Sequence, residues 1–339
     1  MNIIAQPGER VNVISGNIPR VIQTAVLEEG EKWEMHKRKI PDVAAKLAKI
    51  GQAGRAYRME HCSELLVYQW CKSCGRKHII NAQLCRDRFC PVCGWRLSLK
   101  RFATMVDIVQ GLRKEYPDAV WQFVTLTCEN CPVNELRSTM SEMLGAWDKI
   151  MRRRTTVGKI IGWARSLEIT FNSEKRTLHP HFHVLLLWKE GLRPDNFLEN
   201  AWMSTVRIRT APEAQHSDII ETLRAATEHG PDSADEVTGA VLETFKYSVK
   251  SKDLNEMPLY LFRELDQALR GRRMVAFGGK VKEFARLLDA ERTMEEPEDD
   301  ETGEEEEMMR CADCGSVKLI QIVGAWTGDG YLWRKAAQV

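Results

Sequence analysis

No run of about 18 apolar residues occurs in this 339-residue chain, so a membrane-spanning helix is not expected. The opening residues, MNIIAQPGERVNVISGN, lack a basic flank followed by an apolar stretch, which argues against a secretion signal and for a cytoplasmic protein. No Gly-x-x-x-x-Gly-Lys-Ser/Thr loop is present, which removes ATP-driven motors from the functions to consider. No internal repeat is visible beyond four Cys-x-x-Cys pairs. Basic charge is missing from residues 295–307, which hold ten acidic residues.

What is present is an asymmetric charge. The whole chain carries +1, but without the acidic run the rest carries +11. A body that basic favours a polyanionic partner, nucleic acid first. Candidate DNA contacts are the clusters Arg152, Arg153, Arg154 and Arg270, Arg272, Arg273, although each cluster alone also fits a solvated surface.

The ten cysteines include the pairs Cys71/Cys74, Cys90/Cys93, Cys128/Cys131 and Cys311/Cys314. In a reducing compartment such pairs argue for metal thiolates over disulfides. Cys71-Lys-Ser-Cys74-Gly and Cys90-Pro-Val-Cys93-Gly have zinc-ribbon spacing, and each pair ends in glycine. The expected structural Zn²⁺ ligands are Cys71, Cys74, Cys90 and Cys93, with Cys62 and Cys85 as alternatives. Cys128, Cys131, Cys311 and Cys314 would make a second set if the tail folds back; two unliganded thiol pairs are the competing reading.

Periodicity organises the rest. Residues 1–61 carry few signals, apart from a basic amphipathic helix over 31–50. Residues 62–96 read as a Cys-rich zinc-binding module. Residues 97–293 read as the main domain, 294–307 as an acidic linker and 308–339 as a Cys-containing tail. Within the main domain, Val120–Thr127 reads as a strand and 133–153 as a helix with Leu136, Met140, Met143, Leu144, Trp147 and Ile150 on one side. Ile160–Phe171 and Leu178–Trp188 read as a hairpin. Helices are expected over 96–115, 193–204, 216–228, 233–250, 257–271 and 280–293.

The most informative segment is Leu178-His-Pro-His-Phe-His-Val-Leu-Leu-Leu187. In a strand, residues i and i+2 share a face, so His181 and His183 present two imidazoles side by side. Phe182 and Val184 then enter the core behind them. Two neutral imidazoles on a stiff strand suit a divalent cation. If the hairpin closes with Phe171 opposite Leu178, Glu168 faces His181 and completes a two-His, one-carboxylate set. Histidines at a β-surface without metal are the bland alternative. In Leu242-Glu-Thr-Phe-Lys-Tyr-Ser-Val-Lys250, Glu243 and Tyr247 share a helical face, with Lys246 and Lys250 on a neighbouring one. A phenol is a weak nucleophile at its ordinary pKa of about 10, but a polarised phosphate and nearby lysines make attack on phosphorus feasible. Alone, this segment reads as well as an amphipathic helix with a buried tyrosine.

Four stretches, in this order, resemble the single-tyrosine initiator family of rolling-circle plasmids, a branch of the HUH (His-hydrophobe-His) endonucleases. They are Cys85-Arg-Asp-Arg-Phe-Cys-Pro-Val-Cys93 with Trp95-Arg96, Phe123-Val-Thr-Leu-Thr127, His179-Pro-His-Phe-His-Val-Leu-Leu186, and Glu243-Thr-Phe-Lys-Tyr247 with Lys250. A weaker echo is Gly271-Arg-Arg-Met-Val-Ala-Phe-Gly-Gly279. The resemblance spans roughly residues 62–285.

It implies an α+β fold with a central antiparallel sheet of about five strands flanked by helices, the HUH strand in the middle, beside the N-terminal zinc-ribbon-like module. It also implies a Mg²⁺- or Mn²⁺-dependent DNA-nicking enzyme that acts at an origin and leaves a 5′-phosphotyrosine. On that mapping Tyr247 is the nucleophile, His181 and His183 are metal ligands, Glu243 activates water at termination and Lys250 assists. Glu168 as third ligand comes from the hairpin and from analogy with related enzymes. The partners implied are single- and double-stranded origin DNA, with host helicase and polymerase; no membrane is involved. A transposase or mobilisation relaxase of the same chemistry is an alternative, opposed by the absence of paired tyrosines: the next tyrosine is Tyr260. A non-catalytic zinc-ribbon DNA-binding regulator is an alternative of another class. Cys128 and Cys131, the acidic linker and the Cys311/Cys314 tail fall outside the family pattern.

Overall fold

Two five-stranded sheets organise the chain, and residues far apart in sequence build the first of them. The computed structural model describes residues 13–15, 20–192, 194–207, 216–220, 249, 251–288 and 310–336. In chain order the elements begin with β1 (Val13–Ser15), α1 (Arg20–Lys37), α2 (Ile40–Lys49), α3 (Ala53–Glu60), β2 (Leu65–Cys71), β3 (Lys77–Ala82) and α4 (Pro91–Glu115). There follow β4 (Trp121–Thr127), a short 3₁₀ turn, α5 (Leu136–Met151), α6 (Arg154–Lys159), β5 (Ile160–Asn172), β6 (Thr177–Trp188), α7 (Phe197–Thr205) and β7 (His216–Ile220). The last are α8 (Ser251–Glu256), α9 (Leu259–Leu269), β8 (Val275–Gly278), α10 (Gly279–Leu287), β9 (Leu319–Trp326) and β10 (Tyr331–Lys335). The fold is α+β. Two compact units result, Met1–Gly94 with Glu298–Val339, and Trp95–Pro297.

In the first unit the strand order is β1-β10-β9-β2-β3. All pairs are antiparallel except β1 with β10. Residues 308–339, expected as a tail, therefore supply two strands of this sheet. Alternation drives it: Ile320, Ile322, Tyr331 and Trp333 are buried, while Gln321 and Ala325 are exposed. Trp33 of α1 is fully buried and donates from Nε1 to the Tyr68 hydroxyl at 2.7 Å. The Tyr331 hydroxyl donates to the Ser63 carbonyl at 2.7 Å, so both polar tips are satisfied inside the core. The single helix expected over 31–50 is two helices. Pro41 lacks an N–H and fits only a first turn, so the chain breaks at Arg38 and Lys39 and restarts as α2.

In the second unit the order is β7-β4-β6-β5-β8, antiparallel throughout, with β6 central. One face presents Trp121, Phe123, Ala164, Leu185, Leu187 and Val275 to Met105, Ile108, Val109 and Leu112 of α4 and to Val281 and Ala285 of α10. On the other face Phe182 meets Trp147 of α5 at 6.1 Å and Trp202 of α7 at 5.5 Å between ring centroids. Residues 216–220, expected to begin a helix, form β7 on the free edge of β4. A sheet edge with unpaired N–H and C=O groups outweighs a weak local preference. The helix expected over 233–250 lies almost entirely outside the described residues.

Candidate active site and metal centres

The β5–β6 hairpin turns through a short polar loop and closes with Phe171 opposite Leu178 and Glu168 opposite His181. Side chains alternate, so His181 and His183 share the face that carries Leu185 and Leu187 further along β6. Leu185 and Leu187 are sealed beneath α4 and α10. The histidines occupy the opposite end of that face and are 8% and 6% exposed, with Glu168 3% exposed. Glu168 Oε2 lies 3.2 Å from His183 Nε2 and 3.6 Å from His181 Nε2. All three ligand atoms fall within 4.8 Å of one another.

Both rings are aimed from behind. His181 Nδ1 lies 3.2 Å from the His179 carbonyl, which only accepts, so Nδ1 donates there and Nε2 faces Glu168. His183 Nδ1 sits 3.3 Å from Thr125 Oγ1, opposite it on β4, and its ring stacks on Phe123 at 5.6 Å. Such outer partners fix tautomer and ring orientation at metal sites. Thr125 is a positioning residue that the sequence did not single out; the signal for it was the Phe123–Thr127 strand, once its register against β6 is known. His179 stacks on His181 at 5.2 Å and is not one of the three converging groups. Burial, followed by the neighbouring His181 charge, holds its pKa below the ordinary imidazole value. Ligand atoms about 2.1 Å from a hard divalent ion, at right angles, stand about 3.0 Å apart. The observed 3.2 and 3.6 Å suit such an ion with open positions for phosphate oxygens. A carboxylate this buried also gains from a cation that offsets its lost hydration.

The cysteines assemble differently from the sequence expectation. Cys71, Cys74, Cys90 and Cys93 do not form one quartet. Cys90, the residue before α4, and Cys93, in its first turn, join Cys62 and Cys85. Cys62–Cys93, Cys85–Cys93 and Cys90–Cys62 are each 3.6 Å apart at sulfur. The Cys85 and Arg86 backbone N–H groups point at the sulfurs of Cys62 and Cys93, at 3.4 and 3.2 Å. Cys71 and Cys74 close instead on Cys311 and Cys314, because β9 lies beside β2 with Leu319 opposite Cys71. The zinc-ribbon spacing is thus split between two clusters. The proposed grouping of Cys128 and Cys131 with Cys311 and Cys314 is also not formed. The Cys128 sulfur faces the Met143 sulfur at 3.8 Å and the Pro180 carbonyl at 3.6 Å, and burial pushes its thiol up to about 12. Cys131 exchanges backbone hydrogen bonds with Leu178 at 2.8 and 2.9 Å and is buried.

Glu243, Tyr247 and Lys250 lie outside the described residues. Val249, between Tyr247 and α8, is described and buried, and in α8 Asp253 Oδ2 accepts from the Phe171 backbone N–H at 3.1 Å, three residues along β5 from Glu168. Among the arginines, Arg152 and Arg154 are exposed, whereas Arg153 hydrogen-bonds Thr205. Arg272 donates to the carbonyls of Ala268 and Arg137, each at 3.0 Å, and to the Ser141 hydroxyl at 2.8 Å, bracing α9 on α5. Arg273 is exposed.

A profile described as "Replication protein" matches residues 76–328. A "Protein rep" of Streptococcus pneumoniae serotype 2 (strain D39 / NCTC 7466) is 30% identical over 68% of this chain and 71% of its own length. A "Protein rep" of Bacillus amyloliquefaciens is 32% identical over 69% of this chain and 73% of its own, and one of a Bacillus sp is 31% identical over 71% and 84%. No solved structure matches. A profile match across three quarters of the chain, with such relatives, shows the family: the chain belongs to the Rep family of plasmid replication proteins.

Proposed function

We propose that this protein nicks one strand of a plasmid origin through a covalent tyrosyl intermediate and so starts rolling-circle replication. The observation that carries the reading is the convergence of Glu168, His181 and His183, with both Nε2 atoms turned to one carboxylate oxygen. Two imidazoles and a carboxylate suit Mg²⁺ or Mn²⁺. When bound, such an ion draws negative charge off the non-bridging oxygens of a phosphodiester.

The chain's own residues supply the rest. The Tyr247 hydroxyl attacks phosphorus, the phenolic O–P bond forms and the bond to O3′ breaks. Glu243 takes the phenolic proton, and O3′ leaves as the hydroxyl that primes synthesis, protonated from solvent. The 5′ phosphate stays on Tyr247. Glu243 then returns its proton to solvent, and at termination it takes the proton of a free 3′ hydroxyl that rejoins the strand, or of a water that hydrolyses the phosphotyrosine; either way the Tyr247 O–P bond breaks and the phenolate leaves, protonated from solvent. Lys250 supplies positive charge to the phosphate. Five residues lie between Tyr247 and Asp253, a chain length of at most about 22 Å, and Asp253 is held to β5 three residues from Glu168.

The exposed Arg152, Arg154 and Arg273 are assigned to backbone contacts with origin DNA. Cys62, Cys85, Cys90 and Cys93 are assigned to a structural Zn²⁺ that orders the start of α4. Strand separation falls to a host helicase and synthesis to a host polymerase, in the cytoplasm. The test is incubation with labelled single-stranded origin DNA and Mn²⁺. A covalent adduct is expected with the parent and none with EDTA or with Tyr247→Phe. An adduct persisting in Tyr247→Phe overturns the assignment.

A further inference from the structure

We propose that Cys71, Cys74, Cys311 and Cys314 bind a second Zn²⁺ as a tetrathiolate, and that this ion clasps the C-terminal strand pair onto the β2–β3 hairpin. The site goes beyond the nicking reaction and does not depend on it.

The geometry is that of a tetrahedral centre. Zinc–sulfur bonds of about 2.3 Å place the sulfurs of a tetrahedron about 3.8 Å apart. Here Cys71–Cys314 and Cys74–Cys311 are each 3.6 Å apart, and all four sulfurs lie within 4.8 Å of one another. These separations are far longer than the roughly 2.05 Å of a disulfide. Cys71 and Cys311 are buried while Cys74 and Cys314 are exposed, so an ion has an entry path and a sheltered seat.

The two halves are copies of one loop. In Cys71-Lys-Ser-Cys74-Gly-Arg the Gly75 N–H donates to the Cys71 carbonyl at 3.0 Å, and the Cys71 N–H donates to the Arg76 carbonyl at 2.9 Å. In Cys311-Ala-Asp-Cys314-Gly-Ser the Gly315 N–H donates to the Cys311 carbonyl at 2.8 Å, and the Cys311 N–H to the Ser316 carbonyl at 2.9 Å. Gly75 and Gly315 turn the chain at φ +72° and +68°, where a side chain would be strained. Two such loops, each offering two thiols, face each other about a centre.

Neighbouring contacts hold the loops in register without the sulfurs. The Lys72 N–H donates to the Lys318 carbonyl at 2.8 Å, continuing the β2–β9 ladder into the loops. The Ser73 and Ser316 hydroxyls meet at 2.8 Å, and His78 Nε2 lies 2.6 Å from Asp313 Oδ2, between the two C-terminal cysteines in sequence. These contacts join residues 235 to 246 positions apart. Closing so long a loop carries a large entropy cost. Zinc binding, with release of the thiol protons to solvent, supplies free energy to offset it. A run of like charge precedes the C-terminal pair, at residues 295–307, and favours departure of the tail rather than return. The clasp gives the returning strands a fixed address.

The experiment counts thiolate-bound metal in full-length protein purified under reducing conditions. Zinc released by an organomercurial, read with a colorimetric indicator, should reach two per chain. In the double variant Cys311→Ser/Cys314→Ser it should fall to one, and trypsin should remove the C-terminal strands on the order of tenfold faster than in the parent. Because a variant can misfold, the parent alone provides a second readout. Substitution with Co²⁺ should give thiolate-to-cobalt charge-transfer absorption that grows to two equivalents and then stops. One equivalent or none in the parent, or two zinc ions retained in the double variant, would overturn the clasp. Two zinc ions in a parent that fails to nick would leave the clasp standing and refute the nicking reaction instead.

Discussion

Replacing Glu168 by Gln separates a cation site from a structural ion pair, since the two predict opposite outcomes. The amide keeps the shape of the carboxylate and can still hydrogen-bond His183 Nε2, now 3.2 Å from Oε2. What it removes is one buried negative charge, 3% exposed. Unit charges 4 Å apart attract by about 4 kcal/mol at an effective dielectric of 20, and a divalent ion doubles the charge. Desolvation of the carboxylate returns several kcal/mol of this. Losing even an outer partner of a metal ligand costs about ten- to a hundredfold in affinity. For a direct ligand we therefore expect about a hundredfold loss, near 2.7 kcal/mol. Calorimetric titration of Mn²⁺ into zinc-loaded protein reads the affinity. Thermal unfolding without Mn²⁺ reads the cost to the fold, which should stay within about 1 kcal/mol, or roughly 2–4 °C for a unit of this size. Unchanged Mn²⁺ affinity with a destabilisation of about 3 kcal/mol or more would refute the reasoning, since that is the cost of breaking a buried pair.

Other substitutions carry their own outcomes. His183→Ala should lower nicking at least about a hundredfold while duplex-origin binding, read by mobility shift, stays near the parent; loss of folding instead would mark a structural histidine. Arg272→Ala should destabilise the protein by about 1–3 kcal/mol, because two carbonyls and a hydroxyl lose a donor; weakened DNA binding at unchanged stability would contradict the bracing role. Burial, and then the Lys39 charge, lowers the His36 pKa from 6.5 to about 4. The folded state thus resists protonation, so the stabilisation is present above pH 6.5 and lost as pH falls toward 4. Acid-unfolding curves for His36→Gln should show a shallower loss across that window, and an unchanged slope would remove the residue from the account. Cys128, whose thiol burial pushes up to about 12, should resist alkylation in folded protein, as peptide mapping would read.

The hairpin that carries the site was legible because strict alternation and a short loop leave little freedom of register. His-Pro-His-Phe-His places two imidazoles on one face in any strand, and the loop length sets Glu168 opposite His181. Thr125 was hidden because its role depends on which strand pairs with β6 on the other side. The cysteine partners were hidden for a related reason: spacing reveals a pair of ligands, not which distant pair completes them. Cys71/Cys74 and Cys90/Cys93 look like one ribbon, yet the return of β9 and β10 gives each pair different company. That return was itself foreshadowed by the alternation of Ile320, Ile322, Tyr331 and Trp333. β7 was misread as helix since five residues on a sheet edge carry too little periodicity to outweigh their neighbours.

The central claim, a phenolic oxygen delivered to a phosphate at the Glu168–His181–His183 cluster, is tested most directly by locating the DNA on the protein. The Mn²⁺-dependent adduct is trimmed with nuclease, digested with trypsin and sequenced by mass spectrometry. A nucleotide remnant is expected on the peptide Tyr247–Lys250, absent when Mn²⁺ is withheld or His181 is replaced by Ala. A remnant on Tyr260 or any other residue, or one that forms equally well without the metal, would contradict it.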